Sequence, residues 1–82
     1  MTNQPIPIIL EASQAVCARM WEEIDSDPTM NNYNQWMRVI WKLFGMLQVA
    51  SELGDTRSFD WLLKKINEAI DRQAATAGPF GK

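Results

Sequence analysis

The sequence of 82 residues contains no histidine and a single cysteine, Cys17. Histidine is the commonest general base, so its absence would leave any proton transfer to carboxylates. A structural zinc site needs several nitrogen or sulfur ligands, which this chain cannot supply. An internal disulfide is excluded because there is no second cysteine. We therefore expect a protein that is not an enzyme and that uses no metal or cofactor.

Long apolar runs and an excess of one charge are also missing. Arg38 and Lys42 interrupt the richest apolar segment, so no stretch approaches the roughly 20 residues that span a bilayer. The first residues lack the basic and apolar regions of a signal peptide. Eight basic residues stand against ten acidic residues, a balance that favours neither nucleic acid nor a membrane as partner. Together with the unpaired thiol, this predicts a cytoplasmic protein.

The most pronounced feature of the sequence is a segment that predicts a helix with an unusually wide apolar face. Between Tyr33 and Leu53 the polar residues fall on a narrow strip, and the apolar arc, centred near Trp36, covers roughly 240° of the helix. A surface helix needs only about 100°. Two neighbouring helices of a chain this small cannot cover such an arc. We expect an all-α fold, a small three-helix bundle with a long central helix, completed by homo-oligomerisation, with a dimer favoured.

Proline positions and apolar spacing set the expected organisation. Pro5 and Pro7 predict an extended N-terminal arm over residues 1–7. Apolar residues at helical spacing then predict a single helical domain over residues 8–73. Loss of that spacing, with two glycines and a proline, predicts a flexible tail over residues 74–82. The expected helices lie at about 8–25, 29–53 and 56–73.

Capping residues mark the ends of the central helix. It starts either at Pro28 or, after a break, behind an Asn32 cap. Gly54 can adopt the left-handed conformation that ends a helix. Asp55 or Thr56 then caps the third helix. A link this short predicts two helices that lie side by side or at an angle.

The third helix has an apolar stripe and one aromatic residue that departs from it. Trp61 projects about 130° from the centre of the stripe, near Arg57, Lys65 and Arg72. Its ring either folds down over lysine and arginine stems or anchors a partner. The residues expected to be buried are Phe59, Leu62, Leu63, Ile66, Ala69 and Ile70.

The excess of apolar surface leads to our main functional hypothesis. A non-catalytic helical protein of this kind would act through protein–protein interaction and self-association, because the uncovered part of the central helix must be buried elsewhere. Tryptophan and other large apolar side chains dominate such interfaces. The candidate interface residues are Trp36, Met37, Trp41, Phe44 and Trp61.

A cluster of acids ends the first helix, where the helix dipole would favour cations. Asp27 is also a candidate N-cap for the segment that begins at Pro28. The cluster is either a solvated surface or an acidic patch for a basic partner, and it lacks the glycine and loop geometry of a calcium site. Its members are Glu22, Glu23, Asp25 and Asp27.

A second functional hypothesis comes from the sequence QVASELGDTRSFDWLLKK, residues 48–65. The segment resembles the helix-turn-helix of bacterial and phage regulators, in which a small residue precedes a turn glycine and a capped second helix follows. The matching residues are Ala50, Leu53, Gly54 and Thr56. Asp55 and Asp60 depart from that pattern. The resemblance implies a DNA-binding regulator that uses residues 50–65, with the third helix in the major groove. The side chains facing DNA would be Arg57, Ser58, Trp61, Lys64 and Lys65.

Two observations bear on the remaining alternatives. Asp60, Glu68 and Asp71 share the third helix with its basic residues, which disfavours nucleic acid as the partner. Aromatic and methionine side chains such as Phe44 and Met46 can line an apolar cavity as readily as fill a core. Binding of a hydrophobic small ligand is therefore a third hypothesis.

Overall fold

The computed structural model describes residues 8–77 as three α-helices, with no β-strand in that range. Helix α1 spans Ile8–Ser26, α2 spans Tyr33–Leu53 and α3 spans Thr56–Ala77, and a short 3-10 turn, Pro28–Met30, lies between α1 and α2. The predicted all-α three-helix architecture is confirmed. The predicted arm over 1–7 and the end of the predicted tail, 78–82, lie outside the described residues.

Local hydrogen bonds separate α1 from α2. The Asp27 carboxylate accepts bonds from the Thr29 amide at 3.1 Å and the Thr29 hydroxyl at 2.7 Å, which caps the 3-10 turn. The Asn32 side chain then accepts a bond from the Gln35 amide at 2.9 Å, so Asn32 is the N-cap of α2. The second helix therefore begins at Tyr33 and not near residue 29. Residues 28–32 form the 3-10 turn and the cap, and their hydrogen bonds interrupt the α-helix between α1 and α2.

A two-residue turn reverses the chain between α2 and α3. Gly54 has φ of 70°, which glycine adopts without steric penalty. The Asp55 carboxylate accepts bonds from both the amide and the hydroxyl of Ser58, so Asp55 is the residue that caps α3. At the other end of the pair, Gln73 Nε2 donates to the carbonyl of Tyr33 at 3.3 Å. The two helices therefore run antiparallel along most of their length.

The core is centred on Trp36, whose side chain is fully buried. The ring meets Trp21 edge to face with centroids 5.1 Å apart, and its Nε1 donates to Asn31 Oδ1 at 2.7 Å. The Arg72 guanidinium lies 5.4 Å from the ring centroid. Trp36 thus contacts residues from α1, α3 and the turn before α2. The buried apolar residues around it include Cys17, Met20, Ile24, Val39, Ile40, Leu43, Ala50, Leu62, Ile66 and Ala69.

The expected stripe of α3 is rotated by roughly 40° from the observed one, at about 100° per residue. Leu63 and Ile70, which we expected to be buried, are 38% and 42% exposed, whereas Ser58 and Gln73 are buried. The cause is α1, which covers the flank of α3 that carries Trp61 and its charged neighbours. Long charged side chains can cover apolar surface in this way while keeping their charges near water.

Contacts across the α1–α3 junction show how this happens. Trp21 Nε1 donates to Glu68 Oε2 at 3.2 Å, and Lys65 Nζ donates to Glu68 Oε1 at 3.1 Å. The same ammonium lies 5.3 Å from the Trp21 centroid and 5.6 Å from the Trp61 centroid. Trp61 is half-buried beneath it. Of the two alternatives for Trp61, the folded-down arrangement is the one observed.

The predicted tail begins too early. Residues 74–77 continue α3, because three of these four residues are alanine, the best helix former. The Thr76 hydroxyl donates to the carbonyl of Gln73 at 2.7 Å, and buried Gln73 fixes this part of α3 against Tyr33.

Replacement of Trp36 tests the central role of its ring. We expect Trp36→Ala to lower the free energy of unfolding by about 3–5 kcal/mol, since it removes a fully buried aromatic side chain. Trp61→Ala should lower it by only about 1–2 kcal/mol, because that ring is half-buried. Urea unfolding followed by circular dichroism measures both. Equal losses would contradict this description of the core.

The Asp55 cap predicts a pH dependence. Hydrogen bonds from Ser58 hold the pKa of the Asp55 carboxyl below its ordinary value of 3.8. The cap therefore stabilises the fold above that value, and the stabilisation is lost as the pH falls through the lower pKa of the folded state. Asp55→Asn keeps a good cap without a titrating group. Its melting temperature should fall less on acidification than that of the natural protein.

Asp60→Asn is the matched control for this experiment, since Asp60 is an exposed acid on the same helix. Thermal melts at about pH 7 and below about pH 3 compare the three proteins. An Asp55→Asn variant with the same acid sensitivity as the Asp60→Asn variant would refute the role of the cap.

Candidate interaction surface

Helix α2 contributes large apolar side chains to the surface as well as to the core. Trp41 is 66% exposed and Phe44 is 40% exposed, although both lie in the middle of the helix. The two rings contact one another, with centroids 6.0 Å apart and planes inclined by 49°. Rings at this distance and tilt form a favourable aromatic pair. The apolar arc is thus too wide for α1 and α3 to cover.

A shallow groove extends this aromatic pair onto α3. Its volume is about 410 Å³, and Phe59 of α3 borders it together with Trp41 and Phe44. By helical position, Leu63 and Ile70 lie on the same flank of α3 as Phe59. Tyr33 and Met37 likewise lie on the Phe44 side of α2. We call this surface the outer face, defined by Tyr33, Met37, Trp41, Phe44, Phe59, Leu63 and Ile70.

The outer face contains no charged residue. At about 100° per residue the other positions on this side are polar or small from Tyr33 to Ser51 of α2 and from Phe59 to Ala74 of α3, which completes a strip without charge over those residues. Beyond the strip, the exposed acid Glu52 occupies the same angular position on α2 as Asn34. The exposed residues on the remaining sides of α2 and α3 include Arg38, Lys42, Asp60 and Lys64. Depletion of charge is what distinguishes the centre of a protein interface from ordinary surface. The polar and small members of the strip are Asn34, Gln48, Ser51, Asn67 and Ala74.

The five candidate interface residues lie in different environments in the folded chain. Trp41 and Phe44 are exposed on the outer face, and Met37 is half-buried beside them, where its sulfur lies 3.8 Å from Gln73 Nε2. Trp61 is half-buried on the opposite side of α3, below Lys65. Trp36 has no accessible surface, so it leaves the candidate interface.

Sequence reasoning misses four members of the outer face. Tyr33 is absent from the predicted interface because it is the first residue of α2, but its exposed ring lies on the same flank of α2 as Phe44. Phe59, Leu63 and Ile70 are predicted to lie in the core. A signal is present in the sequence: these three apolar residues share one flank of α3.

The four acids at the end of α1 do not act as one group. Asp25 Oδ1 lies 3.3 Å from Arg72 Nη1, and Asp27 caps the 3-10 turn. Glu22 and Glu23 are exposed. Within residues 8–77 no three acidic or cysteine side chains are arranged to hold a metal ion. Two of the four carboxylates therefore have internal structural roles.

The geometry does not favour the DNA-binding hypothesis. Of the five side chains it requires, Ser58 is fully buried and bonded to Asp55, Trp61 is half-buried, and Lys65 is engaged by Glu68. The antiparallel α2–α3 pair also differs from the crossing of about 90–120° in a helix-turn-helix. Of the five, only Arg57 and Lys64 are exposed.

The third hypothesis places aromatic and methionine side chains around an apolar cavity. Trp36 is packed inside the core, whereas Phe44 and Met46 border two different open grooves. The Phe44 groove belongs to the outer face. The Met46 groove lies between α1 and α2, on the other flank of α2.

The single thiol has no features of a nucleophile. Cys17 is buried against the core, and this burial raises the pKa of its thiol to about 11. A thiolate is the reactive form, so the side chain stays protonated near neutral pH. Cys17 is a small core residue, as its position on the apolar face of α1 predicts.

Thiol labelling provides the corresponding test. At about pH 8 we expect Cys17 of the folded protein to react with a disulfide reagent about 100-fold or more slowly than free cysteine, because both burial and the raised pKa reduce thiolate. Labelling in urea should restore the ordinary rate. A folded protein that reacts at the rate of free cysteine would contradict the assigned environment.

Comparison with known proteins provides no family assignment. No family model, curated protein or solved structure matches this chain. Among the helices of residues 8–77, none is long and apolar enough to cross a bilayer.

Proposed function

We propose that this chain is a non-catalytic cytoplasmic interaction protein that self-associates through the outer face. The observation that most strongly supports this proposal is the Trp41–Phe44 pair, which is exposed at the centre of a strip without charge. Water contact with such a surface is unfavourable, and association removes it. Tryptophan and tyrosine are also the residues most enriched among those that dominate binding energy.

The size of the outer face suits a partner as small as this chain. Applying the observed exposures to side chains of about 200 Å² gives roughly 450–500 Å² of apolar surface from Tyr33, Trp41, Phe44, Leu63 and Ile70. The polar and small residues of the strip enlarge this area. A stable interface of standard size buries about 800 Å² on each partner, so the large apolar residues alone supply more than half of that area.

A second copy is the occupant that symmetry favours. In a twofold dimer the same patch meets itself, and an uncharged strip can do so without placing like charges together. Two α2–α3 pairs facing each other form a four-helix layer, a stable way to bury apolar helix faces. Both α1 helices remain on the outside, because α1 lies on the opposite side of each pair.

Two titratable groups whose pKa values are shifted, a thiol and a carboxyl, support the non-catalytic part of the proposal. Cys17 is held as a protonated thiol by burial. Asp55 is occupied by its bonds to Ser58. A catalytic carboxyl or thiol is usually poised beside a cleft with its pKa near the working pH, and neither group meets this description.

Trp41→Ala tests self-association, and Leu53→Ala is its matched control. Leu53 is a large apolar residue of the same helix with 65% exposure, but it lies outside the outer face. Trp41→Ala should weaken dimerisation by about 2 kcal/mol or more, roughly 30-fold in Kd. Leu53→Ala should leave it unchanged. Analytical ultracentrifugation across micromolar concentrations gives the masses.

Stability measurements separate this effect from unfolding. Both variants should unfold at wild-type urea concentrations when the protein is dilute, since each side chain is mostly exposed in the single chain. If the protein without substitutions stays monomeric throughout the concentration range, self-association is refuted. Equal weakening by both substitutions would refute the outer face as its site.

A further inference from the structure

The two long edges of the outer face carry different charges. At about 100° per residue, Arg38 lies on the edge of α2 that faces away from α3. The opposite edge, on the side of α3 that faces away from α2, carries Asp60, Lys64 and Asp71. All four side chains are exposed. Along the strip, the α2 edge is therefore basic and the α3 edge is acidic overall.

A contact within the antiparallel pair shows which residues of α2 and α3 lie at the same level. Gln73 Nε2 donates to the carbonyl of Tyr33, so these two residues share a level. Counting along both helices from this contact places Asp71 about three residues, or roughly 4.5 Å, from the level of Arg38. Lys64 lies by the same count at the middle of the strip. Arg38 and Asp71 thus occupy opposite edges of the outer face within one helical turn.

Twofold symmetry can place the outer face against itself in two ways. If the axis crosses the helices at the middle of the strip, α2 faces α2 of the second copy, Lys64 meets Lys64, and Asp60 comes within a turn of Asp71. Like charges then meet at the α3 edge, which is unfavourable. If the axis runs parallel to the helices, α2 faces α3 of the second copy and every residue keeps its level. Each Arg38 then comes within one turn of Asp71 of the second copy.

The parallel axis also gives Trp41 suitable surroundings. At the level of this residue, the facing helix α3 has a hollow formed by Leu63, Asn67 and Ile70, which lie on one flank at helical spacing. The indole ring can insert between the two apolar side chains. A buried indole N–H needs an acceptor, and the exposed amide of Asn67 provides an oxygen beside the hollow.

We propose that the two copies pair about an axis parallel to the helices, so that α2 of each copy packs against α3 of the other. Trp41 inserts beside Asn67 of the second copy and donates its N–H to that amide, while Arg38 pairs with Asp71 at each edge. This inference rests on the proposed self-association and adds which residues meet. The neutral strip supplies the affinity, and the charged edges select this pairing over the alternative.

Charge exchange tests the pairing. Arg38→Glu and Asp71→Arg should each weaken dimerisation about tenfold, because each places like charges together at both edges. The double variant restores opposite charges and should dimerise within about threefold of the unsubstituted protein. Arg19→Glu, at an exposed position of α1, is the control and should have no effect. Sedimentation measures Kd, and about 0.5 M salt should reduce the differences.

The acceptor for Trp41 is tested separately. Asn67→Ala should weaken dimerisation about tenfold, because the buried indole N–H loses its partner. Gln48→Ala is the matched control, since Gln48 is an exposed amide of the same strip on α2 and should change Kd less than threefold. Far-ultraviolet circular dichroism shows whether each variant is folded. If a charge variant unfolds, this amide pair decides.

Three outcomes would overturn the proposed pairing while leaving self-association intact: single charge reversals without effect, a double variant no better than the singles, and equal effects of Asn67→Ala and Gln48→Ala. In each case the dimer would still be weakened by Trp41→Ala. A chain that stays monomeric at all concentrations would overturn both proposals, so the two failures are distinguishable.

Discussion

The enclosed indole of Trp36 is the contact on which the arrangement of the helices depends. It receives the edge-to-face contact of Trp21 from α1, the guanidinium of Arg72 from α3 and the side chain of Asn31 from the preceding turn. One ring therefore fixes the position of each helix relative to the others. Because its Nε1 is bonded inside the fold, burial leaves no unsatisfied donor.

The elements that could be predicted are those governed by local chemistry. The Asn32 cap, the left-handed Gly54 and the central place of Trp36 follow from backbone preferences and from apolar spacing within one segment. The orientation of α3 could not be derived in the same way. It depends on Trp21 and Lys65, which come together only in the folded chain and turn a charged flank into a covered one.

The candidate surface was predictable in part for the same reason. The width of the apolar arc identifies Trp41 and Phe44 as surplus to the core, and both are exposed. The width of the arc does not show which side of α2 each neighbouring helix covers. The predicted interface therefore includes Trp36 and omits Leu63 and Ile70. The arc extends past its neighbours on both flanks, which produces the outer face on one side and an apolar groove bordered by Met46 and Val49 on the other.

Helix α1 is held both by apolar packing, through Cys17, Met20 and Ile24, and by polar links to α3. The antiparallel pair shares apolar packing along most of its length, whereas α1 approaches it less closely and adds the polar links Trp21–Glu68 and Asp25–Arg72. Exposed charge pairs are screened by salt. Amide hydrogens of α1 should consequently exchange through partial opening, before those of the central pair, and added salt should widen that difference.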